Sequence, residues 1–289
     1  MNATLRLCAI VALSCGFAAS APAGEVVAGK IHSAVLDRDY PYTVYLPDGY
    51  ETSKLRYPVL YLLHGANGNE NEWAVKGHAQ QTLDGLIATG AIPPMVVVMP
   101  GHYQGWWADG NAGKGESALL TEVMPHVESH YKVIAERRGR LIAGLSAGGY
   151  GAVNIVFAHP DRFAAAAALS PAIYHELPPG TSSATTNPPF QKDGKFDPET
   201  WKRLNWPNRF EGYKAAKTPV PIYLNSGDHD RFDIAYEAAY LYSKLREIQP
   251  KDTEFRVVDG DHEWKVWAET LPEALVFMAA RVSRPVGAP

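Results

Sequence analysis

The stretch Leu141–Ala152, LIAGLSAGGYGA, decides how the fold is organised. The apolar run before Ser146 is typical of a buried strand, and the alanine- and valine-rich run after it is typical of a helix. Gly144 and Gly148 flank the serine in the spacing G-x-S-x-G, which marks a sharp strand-to-helix turn with an exposed serine hydroxyl. Both glycines remove side chains that would clash between the strand and the helix. Taken alone, the stretch fits a tight turn in a core as well as a nucleophilic serine.

Short runs of β-branched, aromatic or aliphatic residues recur along the chain and predict strands. Several of these runs are apolar throughout, as expected for parallel strands that are buried on both faces. The segment around Tyr42 is expected to pair antiparallel at an edge of the sheet. The predicted strands are Tyr42–Leu46, Val59–Leu63, Met95–Met99, Leu141–Leu145, Ala165–Leu169, Pro221–Asn225 and Glu254–Val258.

Longer stretches with helical character lie between the predicted strands. Strands that alternate with helices indicate a mostly parallel central sheet covered by helices on both faces. The chain has 289 residues, of which 46% are hydrophobic and 20% charged, an ordinary composition for a globular protein. We therefore predict an α/β fold with a single domain over residues 24–289. The predicted helices are Ser117–Tyr131, Ala147–Ala158, Ile234–Ile248 and Trp264–Arg281.

The segment from about residue 178 to residue 207 interrupts this alternation. It contains two Pro-Pro pairs and a run rich in threonine, serine and asparagine, with little periodicity. Such an excursion between a strand and the next core element is typical of a lid or binding wall, or of a disordered surface insertion. The sequence leaves both interpretations open.

The N-terminal residues have the form of a secretory signal peptide. Arg6 precedes the short apolar core Leu7–Phe17, and Ala21-Pro22-Ala23 matches the A-x-A pattern of a cleavage site. Residues 1–23 are therefore predicted to be removed, with the mature chain starting near Gly24. A secreted or periplasmic location follows from this prediction.

Composition and motifs exclude several function classes. The formal net charge of −4 argues against nucleic acid or an anionic membrane as a partner. After the N-terminal segment, no stretch has the apolar length of a membrane helix. Cys8 and Cys15 both precede the predicted cleavage site, so we expect no disulfide in the mature chain. The zinc pattern H-E-x-x-H and the phosphate pattern G-x-x-x-x-G-K-[ST] are absent, and we expect no cofactor and no metal.

A nucleophilic serine needs a histidine as base and an acid that orients it. In a fold of this kind both follow the serine, acid first, on loops at the carboxyl ends of later strands. The loop after Pro221–Asn225 contains Asp228 and Asp230, and the loop after the last predicted strand contains His262. His262 is the only histidine after Asp230, so it is the base if this order holds. The residues by themselves leave Asp228 and Asp230 open as the acid.

The negative charge that develops during attack on a carbonyl needs two backbone N–H donors. The amide of Ala147 directly follows the serine at a helix N-terminus and is one candidate. The loop HGANG, residues 64–68, follows an early strand, and the amide of Ala66 is the second candidate. Small residues there allow close approach of a substrate. For His64 and Gly65 alone, a glycine turn with no further role is the alternative.

Several stretches, in this order along the chain, resemble the esterase D family of α/β-hydrolases. This family includes feruloyl, acetyl and tributyrin-type esterases, S-formylglutathione hydrolases and mycolyltransferases. The pattern H-x-W-x-x-W around His262 is specific to this group, and the resemblance extends over about Val59–Trp267. The matching stretches are YLLHGANGNENEW (Tyr61–Trp73), VVVMP followed by GWWAD, GLSAGGYGA (Gly144–Ala152), SGDHDRF (Ser226–Phe232) and GDHEWKVW (Gly260–Trp267).

The resemblance implies an α/β-hydrolase fold and a role for five residues. Ser146 would be the nucleophile and His262 the base. The acid of the family follows the loop glycine by three positions, which corresponds to Asp230. The amides of Ala66 and Ala147 would form the oxyanion hole.

The GWWAD stretch would lie near the acyl or alcohol pocket, with Trp106 and Trp107 as substrate-binding residues. The implied activity is that of an exported serine carboxylester hydrolase that forms an acyl-enzyme with an aryl, acetyl or sugar-linked ester. One alternative is an acyltransferase with a sugar acceptor, similar to the mycolyltransferases, and another is a non-catalytic carbohydrate-binding relative. Nothing in the family matches the excursion, so the particular ester is not indicated, and neither is the oligomeric state.

Overall fold

A central eight-stranded sheet organises the protein in the computed structural model, which describes residues 23–103 and 105–287. The strand order is β1-β2-β4-β3-β5-β6-β7-β8. Neighbouring strands from β4 to β8 pair in parallel, whereas β2 pairs antiparallel with both β1 and β4. The mostly parallel sheet predicted from the sequence is therefore confirmed. The strands are β1 Glu25–Ser33, β2 Arg38–Leu46, β3 Val59–Leu63, β4 Val96–Pro100, β5 Arg140–Leu145, β6 Ala165–Leu169, β7 Ile222–Gly227 and β8 Thr253–Val258.

Helices cover both faces of this sheet. Successive residues of β3 belong to different hydrophobic clusters: Tyr61 and Leu63 to one, Leu60 and Leu62 to the other. This alternation follows from the period of two in a strand. The first cluster includes side chains of α5, α7 and α8, and the second includes side chains of α2 and α9. The described α-helices are α1 Glu72–Val75, α2 Ala79–Ala88, α3 Gly115–Ala118, α4 Met124–His130, α5 Ala147–Ala158, α6 Pro198–Leu204, α7 Trp206–Ala216, α8 Ile234–Ile248 and α9 Trp264–Ala279.

The predicted strands all form, with ends shifted by a few residues, but the edge of the sheet was assigned to the wrong strand. The segment around Tyr42 is indeed antiparallel, yet it forms the second strand, and the edge is β1. The β1 sequence EVVAGKIHS carries Glu25, Lys30 and His32 among its apolar residues, so it lacks a continuous apolar run. Charged residues of this kind are typical of edge strands, where one side faces water.

The helix predicted at Ser117–Tyr131 is present, but it is not regular. It consists of α3, a π-helical segment Leu119–Val123 and α4. Pro125 lies in the first turn of α4 and has no backbone N–H. A missing donor at that position removes one helical hydrogen bond in the preceding turn, which accounts for the wider π-helical winding there.

The segment from residue 178 to residue 207 is folded against the rest of the domain. It contains the 3₁₀ turns Ser183–Thr186 and Pro188–Phe190, and it continues through α6 into α7. The side chains of Phe190 and Trp201 are completely buried. The structure therefore agrees with the wall interpretation and not with a disordered insertion, because aromatic burial fixes the segment on the core.

The predicted signal peptide lies outside the described residues, apart from Ala23 at its end. Among the helices of the described ranges, none combines the length and the apolar character needed to cross a membrane.

Candidate active site

Ser146 lies in a strained turn between β5 and α5. Its backbone has φ of 52° and ψ of −117°, outside the regions that non-glycine residues commonly adopt. A Cβ atom on Gly144 would lie 2.4 Å from the carbonyl carbon of Gly148, and one on Gly148 would lie 2.5 Å from the carbonyl oxygen of Leu63. The two glycines of the G-x-S-x-G pattern are therefore needed because backbone segments approach each other closely on both sides of the serine.

A continuous chain of hydrogen bonds joins Ser146, His262 and Asp230. The Nε2 atom of His262 lies 2.8 Å from the Ser146 hydroxyl, and its Nδ1 atom lies 2.7 Å from Oδ2 of Asp230. The Asp230 side chain has no exposed surface, and the His262 side chain is 8% exposed. The other Asp230 oxygen, Oδ1, accepts a hydrogen bond from the backbone N–H of Phe232 at 3.0 Å. The three residues thus have the geometry of a nucleophile, a base and an orienting acid.

Asp228, the alternative acid, points elsewhere. It is exposed, and its Oδ1 atom accepts a hydrogen bond from the backbone N–H of Gly260 at 3.1 Å. The same oxygen lies 2.8 Å from Nδ1 of His229. Asp228 therefore helps to join the two loops after β7 and β8, while Asp230 contacts the imidazole of His262.

The loop that carries His262 is fixed by its neighbour Asp261. Oδ1 of Asp261 accepts hydrogen bonds from the backbone N–H of Arg231 at 3.0 Å and of His262 at 2.6 Å. These bonds lower the pKa of the Asp261 carboxyl to about 2. The imidazole of His262 packs edge-on against Phe232 and Trp267, with ring centroids 5.0 Å away in each case. Both hydrogen bonds and ring packing restrict the orientation of the imidazole.

Both predicted oxyanion donors lie beside Ser146. Ala147 is the first residue of α5, where a backbone N–H has no partner within the helix and the helix dipole favours negative charge. Gly65 and Ala66 line the same pocket as Ser146. A Cβ atom on Gly65 would lie 3.5 Å from the Cβ atom of Ser146, so this loop passes directly over the serine.

The loop after β3 is held from behind by a neutral histidine. His64 is buried, and its burial lowers the pKa of the imidazole. Its Nδ1–H donates to the carbonyl oxygen of Gly65 at 2.7 Å, and its Nε2 accepts from the backbone N–H of His102 at 3.0 Å. The indole of Trp107 donates to the carbonyl oxygen of His64 at 3.1 Å. The position of Ala66 thus depends on side chains that come from two different loops.

The neighbouring tryptophans of the GWWAD stretch have different surroundings. Trp106 lines the pocket, and its indole N–H donates to the hydroxyl of Ser183 at 3.2 Å. Trp107 is completely buried behind the loop after β3 and does not line the pocket. Of the two residues predicted to bind substrate, only Trp106 borders the pocket, and with 1% of its surface exposed it mainly packs in the wall against Phe190 and Trp201.

The pocket around Ser146 has a volume of about 550 Å³. One side contains hydroxyl groups and an aromatic ring from the excursion and the preceding loop, at Tyr174, Thr181, Ser182 and Ser183. The other side contains Glu72, Lys76, Glu263 and Trp264. Sequence reasoning missed most of these residues. The available signal for Glu72 and Lys76 was their spacing of four, which is typical of an ion pair on one helical face and forms here at 2.7 Å.

A mostly parallel sheet, an elbow serine after β5, and an aspartate and a histidine on later loops together define the α/β-hydrolase fold. The chain belongs to the esterase family described as "Putative esterase", which it matches over residues 33–278. The family predicted from the sequence is thereby confirmed.

Solved structures and curated relatives agree with this family. The solved structure of a ferulic acid esterase is 31% identical, with a TM-score of 0.77, over 89% of this chain and 98% of that chain. An endo-1,4-beta-xylanase/feruloyl esterase from Xylanibacter ruminicola is 38% identical over 129 residues, which are 42% of this chain and 18% of that protein. An esterase from Mycobacterium tuberculosis is 33% identical over 135 residues, which are 44% of this chain and 28% of that protein. The matches thus span less than a third of either curated relative.

Proposed function

We propose that the protein is an exported serine carboxylester hydrolase that forms an acyl-enzyme with aryl, acetyl or sugar-linked esters. The observation that carries the proposal is the hydrogen-bonded chain from Ser146 through His262 to Asp230 at a pocket of about 550 Å³. The family assignment supports ester hydrolysis, and the geometry supports the serine as its nucleophile.

In the first half of the reaction, the Ser146 hydroxyl attacks the ester carbonyl carbon while Nε2 of His262 accepts its proton. Asp230 keeps the proton on Nδ1 of His262 and stabilises the positive charge that forms on the imidazole. The amides of Ala66 and Ala147 donate to the oxyanion of the tetrahedral intermediate. His262 then returns its proton to the leaving alkoxide oxygen, and the carbon–oxygen bond breaks to leave the acyl group on Ser146.

In the second half, a water molecule takes the place of the alcohol. His262 accepts a proton from the water as its oxygen attacks the acyl carbon. Collapse of the second tetrahedral intermediate breaks the bond to Ser146, whose oxygen regains the proton from His262. The carboxylic acid leaves, and the enzyme returns to its starting state.

An aromatic acyl group is the substrate feature that the pocket and the relatives support best. The ferulic acid esterase that matches along most of its length acts, by its name, on esters of an aromatic acid. In this chain, the partly exposed rings of Phe232 and Trp264 line the pocket together with Ser182 and Ser183. An aromatic face can stack on a planar acyl group, and hydroxyls can bind its ring oxygens.

Export forms part of the proposal and rests on the signal-like residues 1–23. Mass determination of the protein recovered from the medium or periplasm tests it. We expect a chain that starts at Gly24, and an intact chain in the cytoplasm would contradict export.

Substitution of the nucleophile tests the mechanism. Ser146→Ala should lower kcat/KM for p-nitrophenyl acetate by about three to six orders of magnitude, because no other group takes over the attack. Ser243→Ala removes an exposed hydroxyl on α8 and serves as the matched control. A fluorophosphonate should label the parent and the Ser243→Ala variant but not Ser146→Ala. Near-normal turnover by Ser146→Ala would rule out the assigned nucleophile.

A substrate panel tests the ester class. Methyl ferulate, acetylated xylan, short triglycerides and glutathione thioesters differ in both acyl group and alcohol. We expect the highest kcat/KM with methyl ferulate, and a preference for glutathione thioesters would contradict the proposed class. Addition of a sugar acceptor distinguishes hydrolysis from acyl transfer. An acylated sugar as the main product would identify the protein as an acyltransferase.

A further inference from the structure

Gly24, where the mature chain is predicted to start, lies in a closely packed and hydrogen-bonded position. It is buried, whereas the preceding Ala23 is exposed. The Gly24 nitrogen donates to Oδ1 of Asp84 at 2.8 Å, and its carbonyl oxygen accepts from the side-chain amide of Gln80 at 2.7 Å. Gln80 and Asp84 are four residues apart in α2 and therefore project from the same face of that helix.

Close contacts limit this position to glycine. A Cβ atom on Gly24 would lie 2.4 Å from Cε2 of Tyr45 and 2.5 Å from the carbonyl oxygen of Leu46. The hydroxyl of Tyr45 also donates to Oδ1 of Asp84, at 2.7 Å. The Tyr45 ring thus packs against Gly24, and its hydroxyl helps to orient the Asp84 carboxylate that faces the Gly24 nitrogen.

We propose that this site binds the α-ammonium group of Gly24 after a signal-type peptidase hydrolyses the bond between Ala23 and Gly24. Hydrolysis consumes one water molecule: its OH group bonds to the Ala23 carbonyl carbon, and its other hydrogen goes to the Gly24 nitrogen. The resulting free amine then binds one proton from the solvent. The neutral amide donor at Asp84 is then replaced by a cation. The proposal depends on the predicted cleavage site, but it does not depend on which ester the protein hydrolyses.

Cleavage should affect the stability of the folded protein because it changes the Gly24 nitrogen from a neutral amide to a charged amine. An α-amino group has a usual pKa near 8, so it is mostly protonated at pH 7. A hydrogen bond between two charged groups is shorter and stronger than one with a neutral donor. The ion pair would attach the first residue of the mature chain to α2, directly before the edge strand β1. Chain ends fray unless they are tied down, so the processed form holds its first residue by a charged hydrogen bond where the precursor has a neutral one.

A cycle of four proteins tests the ion pair. Two chains start at Gly24 and at Ala23, so that the amine is either at the site or one residue away from it. Each is made with Asp84 and with Asp84→Asn. We expect Asp84→Asn to lower Tm by about 2 °C more in the chain that starts at Gly24 than in the longer chain. Equal losses in the two backgrounds would overturn the proposal, because they would assign Asp84 a purely structural role.

Two further measurements separate the parts of the proposal. The mass of the exported protein reports the cleavage site, and a mature chain that starts elsewhere would overturn it regardless of the cycle. Gly24→Ala should lower Tm because its Cβ has no room, whereas Gly85→Ala on α2 should not, since a Cβ atom there meets nothing within 4 Å. Equal Tm values for these two variants would show that the position of Gly24 has room for a larger side chain.

Discussion

Asp230→Asn is the most informative single change in the candidate site. The Asp230 Oδ1 atom accepts from the backbone N–H of Phe232 at 3.0 Å, and Oδ2 faces Nδ1 of His262 at 2.7 Å. An amide at this position keeps its oxygen toward Phe232, since that N–H has to be satisfied in a buried site. Its NH₂ group then faces Nδ1 of His262 and moves the imidazole proton to Nε2, where it blocks acceptance of the proton of Ser146.

The expected loss is large because both the tautomer and the charge are wrong. The corresponding change in another serine hydrolase lowers kcat by about 10⁴, which is about 5.5 kcal/mol of transition-state stabilisation. We expect a loss of the same order here, since the Asp230 side chain has no exposed surface through which water could replace it.

Asp228→Asn is the matched control. Its side chain is 45% exposed and contacts His229 instead of His262, so we expect less than about a threefold change. Both variants are compared by kcat and kcat/KM with p-nitrophenyl acetate, after thermal unfolding shows that they are folded. Similar activities of the two variants would refute the assignment of Asp230 as the acid, and a larger loss in Asp228→Asn would reverse it.

Two further predictions concern the backbone around the site. Gly148→Ala places a Cβ atom 2.5 Å from the carbonyl oxygen of Leu63 and 2.6 Å from that of His64, and neither backbone can move freely. Overpacking of this kind costs about 1–3 kcal/mol, so thermal unfolding should show a lower Tm, and an unchanged Tm would contradict the close approach. The pKa of Asp261 is about 2, below its usual value near 4, so this group stabilises the folded state above pH 4 and stops doing so toward pH 2. Asp261→Asn should therefore be less stable than the parent in urea at pH 5–7, with a gap that closes as pH falls toward 2; a constant gap would refute the linkage.

The sequence predicted that the candidate site residues lie together at the ends of parallel strands, for a physical reason. Ser146, Asp230 and His262 each lie within four residues of the end of a strand, and the carboxyl ends of neighbouring parallel strands meet at one edge of a sheet. Strand patterns and chain order therefore bring these side chains together without any knowledge of loop structure. The choice between Asp228 and Asp230 needed the family resemblance, because residues on opposite sides of a tight loop differ only in direction.

Elements away from the carboxyl ends of the parallel strands were less predictable. The edge strand β1 and the helices α2, α6 and α7 were missed; in β1, α6 and α7 the sequences mix charged and apolar residues without a strong period. Tertiary contacts specify these elements: Trp201 of α6, for example, is buried against Trp106 and Tyr150, which lie far away along the chain. Propensity and periodicity do not encode such long-range packing.

The same distinction applies to the two neighbouring tryptophans at the pocket. Trp106 and Trp107 are adjacent and chemically identical, yet one indole donates to Ser183 in the pocket wall and the other donates to the carbonyl of His64 behind the loop after β3. Ser183 belongs to the excursion, whose sequence matches no part of the resemblance. The turn at Ser146 is fixed by close backbone contacts at Gly144 and Gly148, whereas part of the pocket wall comes from the excursion at residues 178–207. Changes within residues 178–207 should therefore alter the choice of ester more than the rate of the acyl transfer that we propose for Ser146.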